Sequence, residues 1–147
     1  MSQVFLSDGT GAGVYVFADD HCPPHVHARH RSEGWIARVQ FSYLSQAVEL
    51  MSIAPAKNIP LQRAVNLLLD EIQAELPHCR RRWWIARRTT CLENQWVLAS
   101  PTGTIVPLLK RRADAKQIAA AIYDPASGRL AVTFQDGATE QVQEKRS

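Results

Sequence analysis

Four of the chain's five histidines crowd into Asp19-Asp20-His21-Cys22-Pro23-Pro24-His25-Val26-His27-Ala28-Arg29-His30. Imidazole exchanges protons near neutral pH and is a frequent metal ligand, so a cluster of this kind points to metal or acid–base chemistry. Alternate residues of a strand share a face. His25, His27 and Arg29 should therefore point together, with Val26 and Ala28 packed inward and His30 turned the other way. Two imidazoles at this spacing can hold a transition metal, and Asp19, Asp20, His21 and Cys22 could supply further ligands from the preceding loop. The metal candidates are His21, His25 and His27. The catalytic candidates are Asp20, as ligand or general base, together with His25 and His27, in a metal-dependent nuclease or phosphoesterase.

Other uses of the same face stay open. The histidines could simply brace the sheet through hydrogen bonds, or Arg29 and its neighbours could bind an oxyanion by charge without catalysing anything. The spacing His25-x-His27 partly resembles the histidine triad of nucleotide hydrolases and transferases, but Arg29 stands where that family needs a third histidine.

A second chemistry-bearing run is His78-Cys79-Arg80-Arg81-Arg82-Trp83-Trp84-Ile85-Ala86-Arg87-Arg88. On a helix, Arg80, Trp83, Trp84, Arg87 and Arg88 fall near one another through three- and four-residue spacing. Arginine grips phosphate bidentately and an exposed tryptophan stacks on an unpaired base, so this run is a candidate surface for single-stranded nucleic acid. Its expected contacts are Arg80, Arg81, Trp84, Arg87 and Arg88, with Arg29 as a further anion-binding candidate. The alternative is that Trp83 and Ile85 fill the core beneath a solvated arginine face.

These residues need elements to position them. Val14 to Phe17 reads as a strand after a glycine-rich turn, which lacks the Lys-Ser/Thr of a phosphate loop. His25 to His30, Trp35 to Phe41 and Gln46 to Met51 read as further strands of an antiparallel meander, with Trp35, Ala37, Val39 and Phe41 on one face. One long amphipathic helix follows from near Pro60, with Asn58 as its cap and Leu61, Ala64, Val65, Leu68, Ile72 and Leu76 on its apolar side. Pro77 cannot donate to a helix ladder, so it kinks this element or starts a second helical piece carrying His78 to Arg88, and the second outcome is favoured. Downstream, Gln95 to Ala99 and Thr104 to Leu109 flank the turn Ser100-Pro101-Thr102-Gly103. Ile118 to Tyr123, Arg129 to Gln135 and Thr139 to Gln143 then form a terminal meander, with Trp96, Tyr123 and Phe134 as core residues. Lys110 to Gln117 is the best internal linker. The expected fold is α+β, with a histidine-motif unit at 1–90 and a small antiparallel β-meander at 91–147 that packs beside it.

A chain of 147 residues, 46% of them hydrophobic, is long enough to build a core without disulfides, which excludes wholesale disorder. Three cysteines with no Cys-x-x-Cys pair are expected to be reduced thiols. The segment Met1 to Gly13 has neither a basic run nor a continuous apolar stretch, and no membrane-length apolar segment follows, so a cytoplasmic location is expected. Net charge is +3, but residues 78–116 alone carry 9 basic and 2 acidic side chains, which points to nucleic acid or an acidic partner.

The pattern Val14-Tyr15-Val16-Phe17, Asp20-His21-Cys22-Pro23-Pro24-His25-Val26-His27-Ala28, Trp35-Ile36-Ala37-Arg38-Val39 and the helix ending at Trp83 resembles the bacterial domain-of-unknown-function family four-one-six-zero. The resemblance covers about residues 1–85. Arg129-Leu130-Ala131-Val132-Thr133-Phe134-Gln135-Asp136-Gly137 resembles the opening hairpin of family two-four-four-two, whose members often neighbour the first family. Together these resemblances imply a small bacterial accessory protein of a toxin–antitoxin-like or mobile-element system that binds a protein partner, RNA or DNA. A homodimer, formed by burying the apolar face of the terminal meander against a second copy, is a further expectation.

Overall fold

A computed structural model describes residues 2–100 and 104–146 of the chain. Its first half is a meander of β1 (Ser2–Leu6), β2 (Gly13–Val16), β3 (His25–His30), β4 (Trp35–Gln40) and β5 (Glu49–Ala54), paired antiparallel in chain order. Across this sheet Val14 faces Ala28 and Ala28 faces Ala37, while Val26 faces Val39. All five are fully buried, as the two-residue alternation of these strands dictates. The opposite face carries the register row Tyr15, His27 and Arg38.

Helix α1 (Gln62–Ala74) turns Val65, Leu68 and Ile72 into the core. Helix α2 (Leu76–Arg87) follows at once, with Pro77 in its first turn, where a missing N–H costs nothing. The single long helix is thus two, and the proline is the reason. Asn58 does not cap α1: its side chain donates to the Gly34 carbonyl at 3.0 Å, and Leu61 occupies the cap position without a side-chain bond.

The second sheet contains β6 (Trp96–Ala99), β7 (Ile105–Pro107), β8 (Lys116–Asp124), β9 (Arg129–Phe134) and β10 (Thr139–Gln143), in the order β10-β9-β8-β6-β7. The β6–β7 pairing is the expected hairpin, although residues 101–103 of its turn lie outside the described residues. Lys116 and Gln117, read as the end of a linker, already belong to β8. The architecture is α+β: two antiparallel sheets, two helices and a terminal meander.

One hydrophobic cluster joins these parts, with Val14 and Ala37 from the first sheet, Leu68, Ile72 and Trp83 from the helices, and Ile118, Leu130 and Phe134 from the second sheet. Each large apolar side chain buried there contributes about 1.5–3 kcal/mol. Tyr43 and Tyr123 meet edge to face, 4.9 Å between centroids, and so bridge the two sheets. Cys22 and Cys91 form a disulfide with a Cα–Cα distance of 5.7 Å, which corrects the expectation of reduced thiols. The fold brings two loops 69 residues apart into bonding range, a proximity that spacing along the chain does not reveal. Cys79 stays a free, buried thiol. No helix among the described residues is long and apolar enough to cross a membrane.

Candidate metal centre

The loop between β2 and β3 folds back on itself. The Asp20 amide donates to the Phe17 carbonyl at 3.1 Å, and the Phe17 amide donates to Asp20 Oδ2 at 2.9 Å. This reciprocal turn spends one carboxylate oxygen on backbone and aims the other, Oδ1, at the start of β3. There His27 Nε2 lies 3.0 Å from Oδ1 and His25 Nε2 lies 3.6 Å from it.

The His25 ring is oriented by its other nitrogen, for Nδ1 lies 2.8 Å from the Pro23 carbonyl. A carbonyl can only accept, so Nδ1 carries a proton and Nε2 is the nitrogen turned toward Asp20. A backbone acceptor behind an imidazole is the usual way a metal-ligand histidine is held. Packing completes the positioning: Trp83 of α2 lies 5.5 Å from the His25 ring, and the edge of Phe17 meets His27 at 4.6 Å. His25 is only 6% exposed.

The three ligand atoms of Asp20, His25 and His27 all lie within 4.8 Å of one another. Metal–ligand bonds of about 2.0–2.2 Å place tetrahedral donors roughly 3.4 Å apart, and the separations from Asp20, 3.0 and 3.6 Å, lie on either side of that value. Two imidazoles and one carboxylate, in a set of three, leave coordination positions for water or substrate.

The other loop candidates do not join this group. His21 is exposed and outside it, and Cys22 is committed to the disulfide. His30 points to the other sheet face, as alternation requires, and rests 5.5 Å from the Trp35 ring. Arg29 is exposed on the face of His25 and His27. Arg38 stands directly across from His27 and is held by a 3.0 Å bond from Nε to Ser52 Oγ. Arg87 braces the loop from α2, its guanidinium donating to the Ala18 carbonyl at 2.6 Å.

The arginine-rich helix differs from its expected form. Arg80, a candidate phosphate contact, is 1% exposed and forms a buried ion pair with Glu144 at 3.3 Å. Its remaining donors go to the Ser42 and Ser45 carbonyls at 3.0 and 2.8 Å. Tyr123 donates to Glu144 at 2.9 Å, and the Tyr43 hydroxyl donates to the Arg80 carbonyl at 2.6 Å. Burial raises the pKa of both phenols, reinforced at Tyr123 by its bond to Glu144. Arg80 is inside because Leu76, Cys79, Arg80 and Trp83 share one helical stripe, and that stripe faces the core. Trp84 is half-buried, with part of its ring packed against the core. Arg81 and Arg88 are exposed, whereas Arg80, beside them on the helix, is turned into the core. Glu144, the partner that makes Arg80 a core residue, sits in a polar tail with no local pattern to mark it.

The chain matches no family model, no curated protein and no solved structure.

Proposed function

We propose that this protein holds a divalent transition metal at Asp20, His25 and His27 and hydrolyses phosphate esters there. The observation that carries the reading is the convergence of one carboxylate oxygen and two imidazole nitrogens, each oriented from behind by backbone or packing. A zinc-like ion lowers the pKa of bound water to about 7, which supplies hydroxide at neutral pH. Asp20 would contribute Oδ1 while Phe17 keeps Oδ2 occupied, and the Pro23 carbonyl would keep His25 in the coordinating tautomer. Arg29 and Arg38 share the sheet face with His27, and their charge favours an anionic substrate there. In the toxin–antitoxin-like or mobile-element setting that the sequence resemblance implies, that substrate is nucleic acid.

Elemental analysis of purified, untagged protein beside His25→Ala/His27→Ala tests this reading. About one transition metal per chain is expected in the first sample and none in the second, with hydrolysis of bis(p-nitrophenyl) phosphate following the metal. Equal metal content in both samples, or turnover that survives in the variant, would overturn the assignment. Metal bound at His25 and His27 without turnover would reduce it to a metal-binding protein.

A further inference from the structure

A second polar site lies away from the Asp20–His25–His27 group, where the start of α2 faces the β8–β9 turn and residues 144–146. It is a cleft of about 310 Å³ whose walls include Pro77, His78 and Arg81 on one side and Pro125, Ala126 and Arg146 on the other. A smaller hollow of about 260 Å³ continues past His78 and Arg81 to Arg82.

The charges around this cleft do not balance. Arg80 beneath it and Arg146 on its wall share a single carboxylate, Glu144, at 3.3 and 2.9 Å. Glu75, an acid on the lining itself, is bound to His78. The Arg81 side chain makes no hydrogen bond or ion pair among the described residues and is exposed at the cleft. Arg146 is held in place by Glu144 and by the Ala126 and Pro125 carbonyls at 3.3 and 3.5 Å, so one of the two wall guanidiniums is fixed before any ligand arrives, with one N–H on each terminal nitrogen left to donate. A concave site with surplus guanidinium charge selects an oxyanion that can accept two or more N–H bonds. The two prolines give the walls flat apolar surface, and the volume accommodates an organic group attached to that anion.

We infer that this cleft binds a phosphomonoester, its phosphate between Arg81 and Arg146 and its organic group against Pro77 and Pro125. The site is separate from the metal centre and does not depend on it. Calorimetric titration of the full chain with adenosine 5′-monophosphate, inorganic phosphate and adenosine tests it, using wild type, Arg81→Ala, Arg88→Ala and His25→Ala/His27→Ala. The monophosphate and phosphate should bind and adenosine should not. Arg81→Ala, an exposed change that leaves the Glu144 cluster intact, should weaken monophosphate binding about tenfold, the scale of one charged hydrogen bond. Arg88→Ala, at the far end of the same helix, should leave it unchanged, as should the histidine double variant. The assignment is overturned if neither phosphate compound binds, if adenosine binds as well as its phosphate, or if Arg81→Ala and Arg88→Ala weaken binding equally. Loss of binding in the histidine double variant would also overturn it, because the anion would then be a ligand of the metal centre.

Discussion

Two polar clusters in this molecule use similar side chains to opposite ends. Around Glu144, two guanidiniums and a phenol converge on one carboxylate, and Arg80 finds acceptors for Nε, NH1 and NH2 within the protein. Around Asp20, one carboxylate oxygen meets two imidazole nitrogens, hydrogen-bonded to His27 at 3.0 Å and 3.6 Å from His25. In the first cluster Arg80 is saturated and buried, so its charge can only hold the structure together, while Arg146 on the other side of Glu144 reaches the surface. The second gathers three groups that can each turn a lone pair to one ion, which is the condition for taking one up. Burial does not distinguish the two, since His25 at 6% exposed is as buried as Glu144 at 8%.

The largest expected effect follows from breaking the sealed cluster. Glu144→Ala leaves Arg80 charged and without its carboxylate in the core, and should lower the unfolding free energy by about 3–5 kcal/mol in urea titrations. An Arg80→Met/Glu144→Leu pair should recover most of that loss, because it removes both charges together. Failure of the pair to recover would mean that Arg80 contributes chiefly through the Ser42 and Ser45 carbonyls.

Next in size is the covalent tie between the histidine loop and the segment leading to the second sheet. Cys22→Ser/Cys91→Ser releases a 69-residue separation and should cost about 2–4 kcal/mol, read as a lower urea midpoint. A midpoint that does not move would show that packing alone holds the loop.

Alkaline pH probes the sealed side more gently. Burial pushes the Cys79 thiol up to about 12, and Tyr43 and Tyr123 are raised as well. The folded state therefore keeps these protons more firmly than the unfolded chain, whose thiol titrates near about 8.5. Their contribution to stability is complete below that value and is lost as pH climbs toward the folded pKa, at about 1.4 kcal/mol per unit of separation. Melting temperature should hold steady to about pH 8 and then fall through the alkaline range. Cys79→Ala should flatten the early part of that fall.

The smallest stability effect belongs to the open cluster. His27→Ala should change the unfolding free energy by about 1 kcal/mol or less while abolishing metal uptake, measured by denaturation and elemental analysis on the same preparation. A large stability loss with metal retained would reverse the roles assigned to the two clusters.

Strand β3 and the chemistry on its outer face were legible because alternation is a backbone property: in an extended chain, His25 and His27 must share a side whatever surrounds them. Strand β1 was not legible, since a bulge between Gln3 and Phe5 breaks the alternation that would have marked it. Strand β5 runs from Glu49 rather than from Gln46, because the chain after β4 first sends Tyr43 inward to the Arg80 carbonyl. The helix break at Pro77 could be read directly, whereas the side of α2 that faces inward could not. Leu76, Cys79 and Trp83 at helical spacing were the available signal that Arg80 lies on the core stripe, and the neighbouring arginines obscured it.

By itself, then, the sequence determined the α+β class, the paired histidines on one strand face and the proline that divides the helices. All of these rest on geometry repeating within a few residues. Only the tertiary structure chose Asp20 over His21 as the third group, joined Cys22 to Cys91, and drew Arg80 inward to Glu144 across 64 positions. Those choices depend on how two sheets meet, and no local periodicity encodes a partner that distant.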